Sequence, residues 1–214
     1  MEAQPAARAE LARLGVPAVP AVVVGERAVH GWNPRGVAEL LGIPYREPVR
    51  LSPAELAGRL NRILALAQRA TRQVPTEELG RPTPGRDRTV RQLAYHIFRL
   101  SLAYRDGVMA RRLPKAWLDE DAPATLAHAD AIAEYGERAR AELAAWLGHA
   151  DACQGPVDTY YGPQAAHELL ERTVWHAAQH LRQLHALLEG MGVAPDAPLT
   201  EADLAGLPLP REVW

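Results

Sequence analysis

Residues 175–184, WHAAQHLRQL, carry the strongest structural and chemical pattern in this chain of 214 residues. The stretch is rich in helix-forming residues and contains His176 and His180, four positions apart. Because an α-helix has about 3.6 residues per turn, such residues differ by only about 40° around the axis, and their side chains leave the same face. The spacing therefore predicts a helix that presents two imidazole nitrogens together, which is half of a metal site.

His96 is the candidate for the third ligand. It stands in LAYHIFRL, residues 93–100, an apolar stretch that predicts a second buried helix. Three imidazoles leave coordination positions of a metal ion open to water or substrate, as in catalytic rather than structural sites. A His pair on one helix is also common on ordinary solvated surfaces, so the prediction depends on His96 joining the pair. His167 and His185 turn away from the pair and are expected to be solvated.

Around these stretches, the hydrophobic periodicity predicts four long helices joined by longer connections. Such a pattern is typical of a mainly α protein built as a four-helix bundle. The first helix should follow the capping-box sequence Ser52-Pro53-Ala54-Glu55 and bury one apolar stripe. That stripe comprises Leu56, Leu60, Ile63, Leu64 and Ala67. The other expected boundaries are a start capped by Asp87 or Thr89 for the second helix, about Thr125 to Leu147 for the third, and about Pro163 to Leu188, before Gly190, for the fourth.

The first part of the chain has a different pattern. Ala6 to Leu14 predicts a short helix, and VPAVPAVVVGERAVHGW, residues 16–32, predicts a β-hairpin around a Gly-Glu-Arg turn. Asn33-Pro34 then begins a short helix that ends at Gly42. We therefore expect a small helix, hairpin and helix appendage at residues 1–45, the bundle at residues 46–195, and a C-terminal tail at residues 196–214.

Composition narrows the classes of function. A hydrophobic content of 48% suits one substantial core with a small appendage, and a net charge of −2 disfavours binding to nucleic acid or to an acidic membrane surface. The single cysteine, Cys153, excludes an intramolecular disulfide and a CxxC redox pair. Without an apolar run near the ~20 residues that cross a bilayer, and without a signal-peptide pattern, the protein is expected to be soluble and cytoplasmic.

One helical His, followed two helices later by H-x-x-x-H-x-x-Q, resembles the DinB family of metalloproteins. His96 would be the first ligand, and His176, His180 and Gln183 match the motif, within a resemblance that covers about residues 51–193. It implies an up-down-down-up four-helix bundle and a divalent metal, most often zinc or nickel, held by the three His. Several branches of the family are thiol-dependent transferases or isomerases that use bacillithiol, mycothiol or glutathione; many other members have no assigned activity.

The N-terminal segment resembles a different family. GVPAVPAVVVGERAVHGWNPRGVAELLG, residues 15–42, is similar to the C-terminal half of a glutaredoxin or thioredoxin. In that comparison Val19-Pro20 matches the cis-proline before a strand, and Gly31 matches the turn into the last helix. The first strand, first helix and CxxC motif of the fold are missing, so no redox activity of its own is expected. The apolar run Val22 to Val24 should be covered by the bundle or by a second subunit, which favours a homodimer.

These observations lead to a hypothesis of thiol activation. Three neutral imidazoles leave a metal ion its full charge, which lowers the pKa of a bound water or thiol. A small-molecule thiol would then attack an electrophilic substrate. Arg172, one turn before His176, is placed to hold a carboxylate of the thiol, and Gln183 and Gln92 are candidates to orient imidazole N–H groups or the bound water.

Two alternatives stay open. In the first alternative, the bundle is a non-catalytic metal-binding, ligand-binding or dimerisation module, and the hairpin is an assembly element. In the other it is a metal-dependent hydrolase, which needs a carboxylate near the ion, and the fourth helix has no Glu in an HExxH placement. The sequence does not decide which metal, thiol or electrophile is used, since three imidazoles accept several transition ions.

Overall fold

A computed structural model describes residues 5–16, 21–30, 33–47 and 50–214. The chain divides into two compact units, residues 1–50 with 160–162 and residues 51–159 with 163–214. The larger unit begins at Leu51 and includes the C-terminal tail. Among the helices formed by the described residues, none has both the length and the apolar character that a bilayer-spanning segment requires.

The smaller unit contains a helix, a two-stranded hairpin and a second helix. These are α1 (Pro5–Arg13), β1 (Ala21–Val24), β2 (Arg27–His30) and α2 (Pro34–Leu41). The strands are antiparallel in the register Ala21↔His30 to Val24↔Arg27, so Arg27 is the first residue of β2 rather than part of the turn. Gly25 has φ of 59°, a conformation that glycine adopts at no steric cost.

Asn33 and Gly42 limit α2 as the sequence predicts. The Asn33 side chain accepts the Gly36 N–H at 2.8 Å, Pro34 occupies the first turn, and Gly42 ends the helix in the left-handed conformation. The helix, hairpin and helix appendage is thus confirmed. Val19-Pro20 and Gly31, on which the likeness to a thioredoxin depends, lie outside the described residues, and that likeness stays a prediction.

Four long helices form the larger unit and confirm the predicted mainly α bundle. They are α3 (Pro53–Arg72), α4 (Val90–Ala110), α5 (Ala129–Leu147) and α6 (Ala166–Gly190). Both α3 and α4 pack mainly on α5 and α6. The helices α3 and α4, which follow each other in the chain, therefore lie on a diagonal of the bundle, and α4 meets α6 directly.

Capping boxes fix the beginnings of α3 and α4. Ser52 N–H donates to Glu55 Oε2 at 2.8 Å, and Thr89 N–H donates to Gln92 Oε1 at 2.7 Å, while each cap hydroxyl accepts the N–H three residues on. Thr89, and not Asp87, is therefore the cap of α4. Each such cap contributes about 1 kcal/mol.

The core is built from the faces that the periodicity predicts. All five residues of the α3 stripe are at most 1% exposed. They meet buried side chains of the other three helices in one continuous cluster. Burial of each large aliphatic side chain contributes about 1.5–3 kcal/mol, so this cluster supplies most of the stability of the bundle.

Two predicted helix starts are wrong. α5 begins at Ala129 instead of Thr125, because the Arg91 guanidinium holds the preceding segment as a loop by donating to the carbonyls of Ala122 at 3.0 Å, Leu126 at 2.9 Å and Pro123. α6 begins at Ala166 instead of Pro163 because residues 162–165 form a strand.

That strand belongs to a small sheet that the sequence did not predict. Its members are β3 (Arg112–Leu113), β4 (Pro156–Thr159) and β5 (Gly162–Ala165), in that order across the sheet, with β3 parallel to β4. The pairing of β3 with β4, which lie far apart in the chain, leaves no local pattern. The sheet joins the end of α4 to the connection that leads into α6.

The C-terminal tail packs along the bundle. It contains one short helix, α7 (Glu201–Leu204), which begins with a capping box between Thr200 and Asp203. On α3, Arg69 forms an ion pair with Asp196 at 2.8 Å. The tail leucines pack against the core of the bundle.

Candidate metal centre

The structure brings the three candidate His ligands together where α4 faces α6. His96 comes from α4, and His176 and His180 come from adjacent turns of α6. The ring centroids lie 4.6 Å apart for His176 and His180, 5.0 Å for His96 and His180, and 5.7 Å for His96 and His176. One nitrogen of each ring lies within 4.8 Å of the others, a group that could hold a metal ion.

Burial keeps these three rings neutral near pH 7. The pKa of His96 falls to about 4, chiefly because burial disfavours the charged ring and then because of the charge on Arg88. Burial, followed by the neighbouring His rings and cationic groups, holds the pKa of His176 and of His180 well below the ordinary value. A neutral imidazole keeps a lone pair free, which is the form that binds metal.

Hydrogen bonding selects one tautomer of His180. The Gln183 amide oxygen lies 2.8 Å from His180 Nδ1, whereas the donor Arg88 Nη2 lies farther from that nitrogen, at 3.4 Å. Because an amide oxygen only accepts, the shorter contact places the proton on Nδ1. The lone pair is then on Nε2. That atom is buried and has no hydrogen-bond partner among the described residues. A buried, unpartnered nitrogen lone pair beside two other neutral imidazoles is available to bind a metal ion.

Two further groups fix the orientation of the Gln183 amide. Arg88 Nη2 donates to its oxygen at 2.8 Å, and its nitrogen donates to the Val213 carbonyl at 2.9 Å. A guanidinium only donates and a carbonyl only accepts, so the reversed amide would face both partners with the wrong group. The contact between Gln183 and His180 Nδ1 is the kind of contact that the sequence-based prediction assigned to Gln183. Arg88 and Val213 were not predicted, and no local pattern marks them.

The surroundings of the three rings are electropositive. Arg172, Arg86 and Arg88 all lower the pKa of His176 by their charge. Burial, and then the charge on Arg86, lowers the pKa of Arg88 itself to about 10, and Arg88 forms no ion pair within the described part of the chain. The Arg172 guanidinium also lies over the Trp175 ring, 5.6 Å from its centroid.

The loop before α5 contributes a negative charge and a backbone group that act on His96. The charge on Asp119, and then the backbone of Leu118, raise the pKa of His96 and partly offset the effect of burial. Asp119 is itself paired with Lys115. The orientation of the His180 ring, by comparison, is fixed by a side-chain contact, that with Gln183.

Gln92 has another role than the predicted one. Its oxygen accepts the Thr89 N–H of the capping box, and its nitrogen donates to Asp121 Oδ1 at 3.0 Å. Neither hydrogen bond is to a His ring. The third residue of a helix is where a Gln side chain reaches back to the cap, and this local contact takes the amide.

The expectation that His185 is solvated is wrong. His185 is only 8% exposed, because α6 packs on both α3 and α4 and so buries more than one face. His167 is half-buried, and its Nε2 lies 2.9 Å from the Leu51 carbonyl oxygen. Neither belongs to the group of three.

The donor set fits a divalent transition metal. Three neutral nitrogen ligands suit zinc, nickel and related ions. The three rings lie on two helices that pack directly on each other, so the backbone that carries them is rigid. The group contains no carboxylate from the described residues.

The comparisons with known proteins point to one family. No curated protein matches the chain. A sequence model of the DinB superfamily matches residues 55–184, which is more than half of the chain and includes the three candidate His ligands, Arg172 and Gln183. The chain therefore belongs to the DinB superfamily.

Proposed function

We propose that this protein is a divalent-metal-dependent enzyme that activates a low-molecular-weight thiol on the centre formed by His96, His176 and His180. The observation that carries the proposal is the buried lone pair of His180 Nε2, which the contact with Gln183 fixes beside two neutral imidazoles. Zinc or nickel is the ion that we propose, in a thiol S-transferase or isomerase. A divalent ion bound there supplies the Lewis acidity that lowers the pKa of a thiol.

The residues around the centre favour an anionic thiol. Arg86, Arg88 and Arg172 place three positive charges close enough to lower the pKa of His176. Carboxylate or phosphate groups pair with guanidinium groups through short, charge-assisted hydrogen bonds. Arg172, one turn from His176, is the residue that we propose holds such a group of the thiol; bacillithiol and glutathione carry carboxylates that could pair with it, whereas mycothiol carries none.

The proposed reaction is a substitution at an electrophilic carbon. The thiol gives its proton to solvent, the sulfur forms a bond to that carbon, and the leaving group departs with the bonding electrons. In an isomerase the thiol adds, the substrate rearranges, and the thiol leaves again. The positive charges of the nearby guanidinium groups favour the thiolate over the thiol. A reducing compartment such as the cytoplasm would keep the thiol available.

Metal analysis of protein purified without a His tag tests the proposal. We expect close to one equivalent of a transition metal in the wild-type protein and little in His176→Ala, with consumption of a thiol by a generic electrophile only in the metal-loaded wild type. Far less than stoichiometric metal, unchanged by the mutation, would refute the metal centre. Stoichiometric metal without thiol consumption would refute the activity.

The exposed apolar residues of the smaller unit favour a second candidate, a binding or dimerisation module. Val22, Val24, Leu41, Ile43 and Tyr45 are all at least 36% exposed. Such a set is typical of a surface that a second subunit covers, so we propose a homodimer. Light scattering of the wild type and of Ile43→Glu tests this: the variant should be monomeric, and a monomeric wild type would refute it. Hydrolysis ranks third, since the His group of the described residues includes no carboxylate.

A further inference from the structure

The last residues of the tail are held along α6 by an unbroken series of hydrogen bonds. Every carbonyl from Pro210 to Val213, a segment called the strap here, accepts a hydrogen bond from an α6 side chain. Arg182 donates to Pro210 and Arg211 at 2.7 Å each, Gln179 to Glu212 at 3.1 Å and Val213 at 2.8 Å, and Gln183 to Val213 at 2.9 Å.

The three donors share one side of α6. Gln179, Arg182 and Gln183 are spaced i, i+3 and i+4, which places them together on a helix surface. Arg182 also donates to the Gln179 oxygen at 2.8 Å, so these two side chains hold each other in position for the strap. The strap is therefore bound by a matched row of donors and not by a single contact.

One of the three donors also contacts the metal centre. Gln183 uses its nitrogen for Val213 and its oxygen for His180 Nδ1. If its amide turned over, the nitrogen would meet His180 Nδ1 and Arg88, and Arg88 offers only donors. The Val213 carbonyl secures the opposite end of the same amide. The contacts at the two ends act together to keep the oxygen on the His180 side.

We infer that the strap is a positioning element of the metal centre: through the Val213 carbonyl and Gln183 it keeps His180 in the Nδ1-protonated tautomer whose Nε2 binds the ion. This inference rests on the metal centre proposed above. Val213 contacts Gln183 and not the His rings, so it acts through another residue. The affinity of His180 for the ion thereby depends on a segment that lies outside the four helices.

The double variant Gln179→Ala/Arg182→Ala tests the inference. It removes four of the five strap hydrogen bonds and changes neither a His ligand nor Gln183. Arg69→Ala is the matched control, because it removes another helix-to-tail contact, the ion pair with Asp196, on α3. Limited proteolysis should show release of residues 210–214 in the double variant and not in the control.

The first measurement needs no metal. In nitrogen-15 NMR spectra of the metal-free protein, His180 should be the Nδ1–H tautomer in the wild type and in Arg69→Ala, and a mixture of tautomers in the double variant. A merely structural role of the strap would leave the tautomer unchanged.

The second measurement is zinc affinity by competition with a chromophoric chelator. Loss of a partner that orients a ligating His typically costs about 10–100-fold, and we expect about tenfold here because Gln183 itself remains. A released strap with wild-type tautomer and wild-type zinc affinity overturns the inference while the metal centre stands. A wild type that binds no zinc overturns both, and retention of the strap in the double variant overturns the assignment of its donors.

Discussion

Replacing Gln183 by leucine removes the group that sets the metal-binding form of His180. Leucine has a similar volume but no polar atom, so the contacts with His180 and Arg88, both 2.8 Å, and with Val213, 2.9 Å, all disappear. Loss of the partner of a ligating His costs about 10–100-fold in metal affinity, or about 1.4–2.7 kcal/mol. Arg88 also loses the acceptor of its buried guanidinium, which costs about 1–3 kcal/mol of folding stability.

Two assays separate these effects. Competition with a chromophoric chelator gives the zinc affinity of Gln183→Leu, and urea unfolding of the metal-free protein gives its stability. Gln183→Glu is the matched control, because a carboxylate still accepts from His180 and Arg88 and loses only the donor to Val213. Its zinc affinity should equal or exceed that of the wild type, since an anionic partner makes the ring a stronger ligand. A folded Gln183→Leu protein with wild-type zinc affinity would refute the reasoning.

Three other perturbations have directions that follow from the structure. The metal-free protein should lose stability as the pH falls from about 6.5 towards 4, because the unfolded chain protonates His96 at its ordinary pKa while burial lowers the folded pKa to about 4. Urea unfolding across this range should show that the free energy of unfolding depends less steeply on pH in His96→Ala than in the wild type. An equal dependence on pH would contradict this prediction. Arg172→Ala should raise the KM for an anionic thiol about tenfold with unchanged metal content, and Arg172→Lys should restore part of it; steady-state kinetics with metal analysis checks both. Gly136→Ala should destabilise the bundle by about 1–3 kcal/mol, because a Cβ at Gly136 would lie 2.5 Å from ring atoms of Phe98, and a wild-type urea midpoint would contradict this close approach.

Local patterns explain which parts of the fold could be predicted. Ser52 with Glu55 fixes the start of α3 within four residues of sequence, and the apolar stripe of α3 repeats at the helical period, so both follow from neighbours along the chain. The start of α6 could not be found in this way. Residues 162–165 pair with the neighbouring strand β4, and β4 in turn pairs with the distant Arg112–Leu113, so the sheet that holds them in a strand depends on a long-range contact.

The same distinction between local patterns and long-range contacts explains which residues of the candidate site could be predicted. The spacing of His176 and His180 is a property of one helix, and His96 stands on a second helix with a clear apolar face, so their convergence could be expected. Arg88 reaches Gln183 across 95 positions of sequence, and no periodicity records such a contact. Gln92 was assigned to the site because helix geometry alone does not account for competition from a capping box.

His96 lies far from His176 and His180 along the chain, and this separation affects how long the folded protein survives in the cell. All of α5 and the small sheet lie between these ligands in sequence, so a bound ion would close a very long loop between α4 and α6. Because such an ion binds only when both ends of the loop are in place, it stabilises the native state in proportion to the logarithm of the free metal concentration. The rate at which proteases degrade this protein should therefore fall as the metal supply of the cell rises.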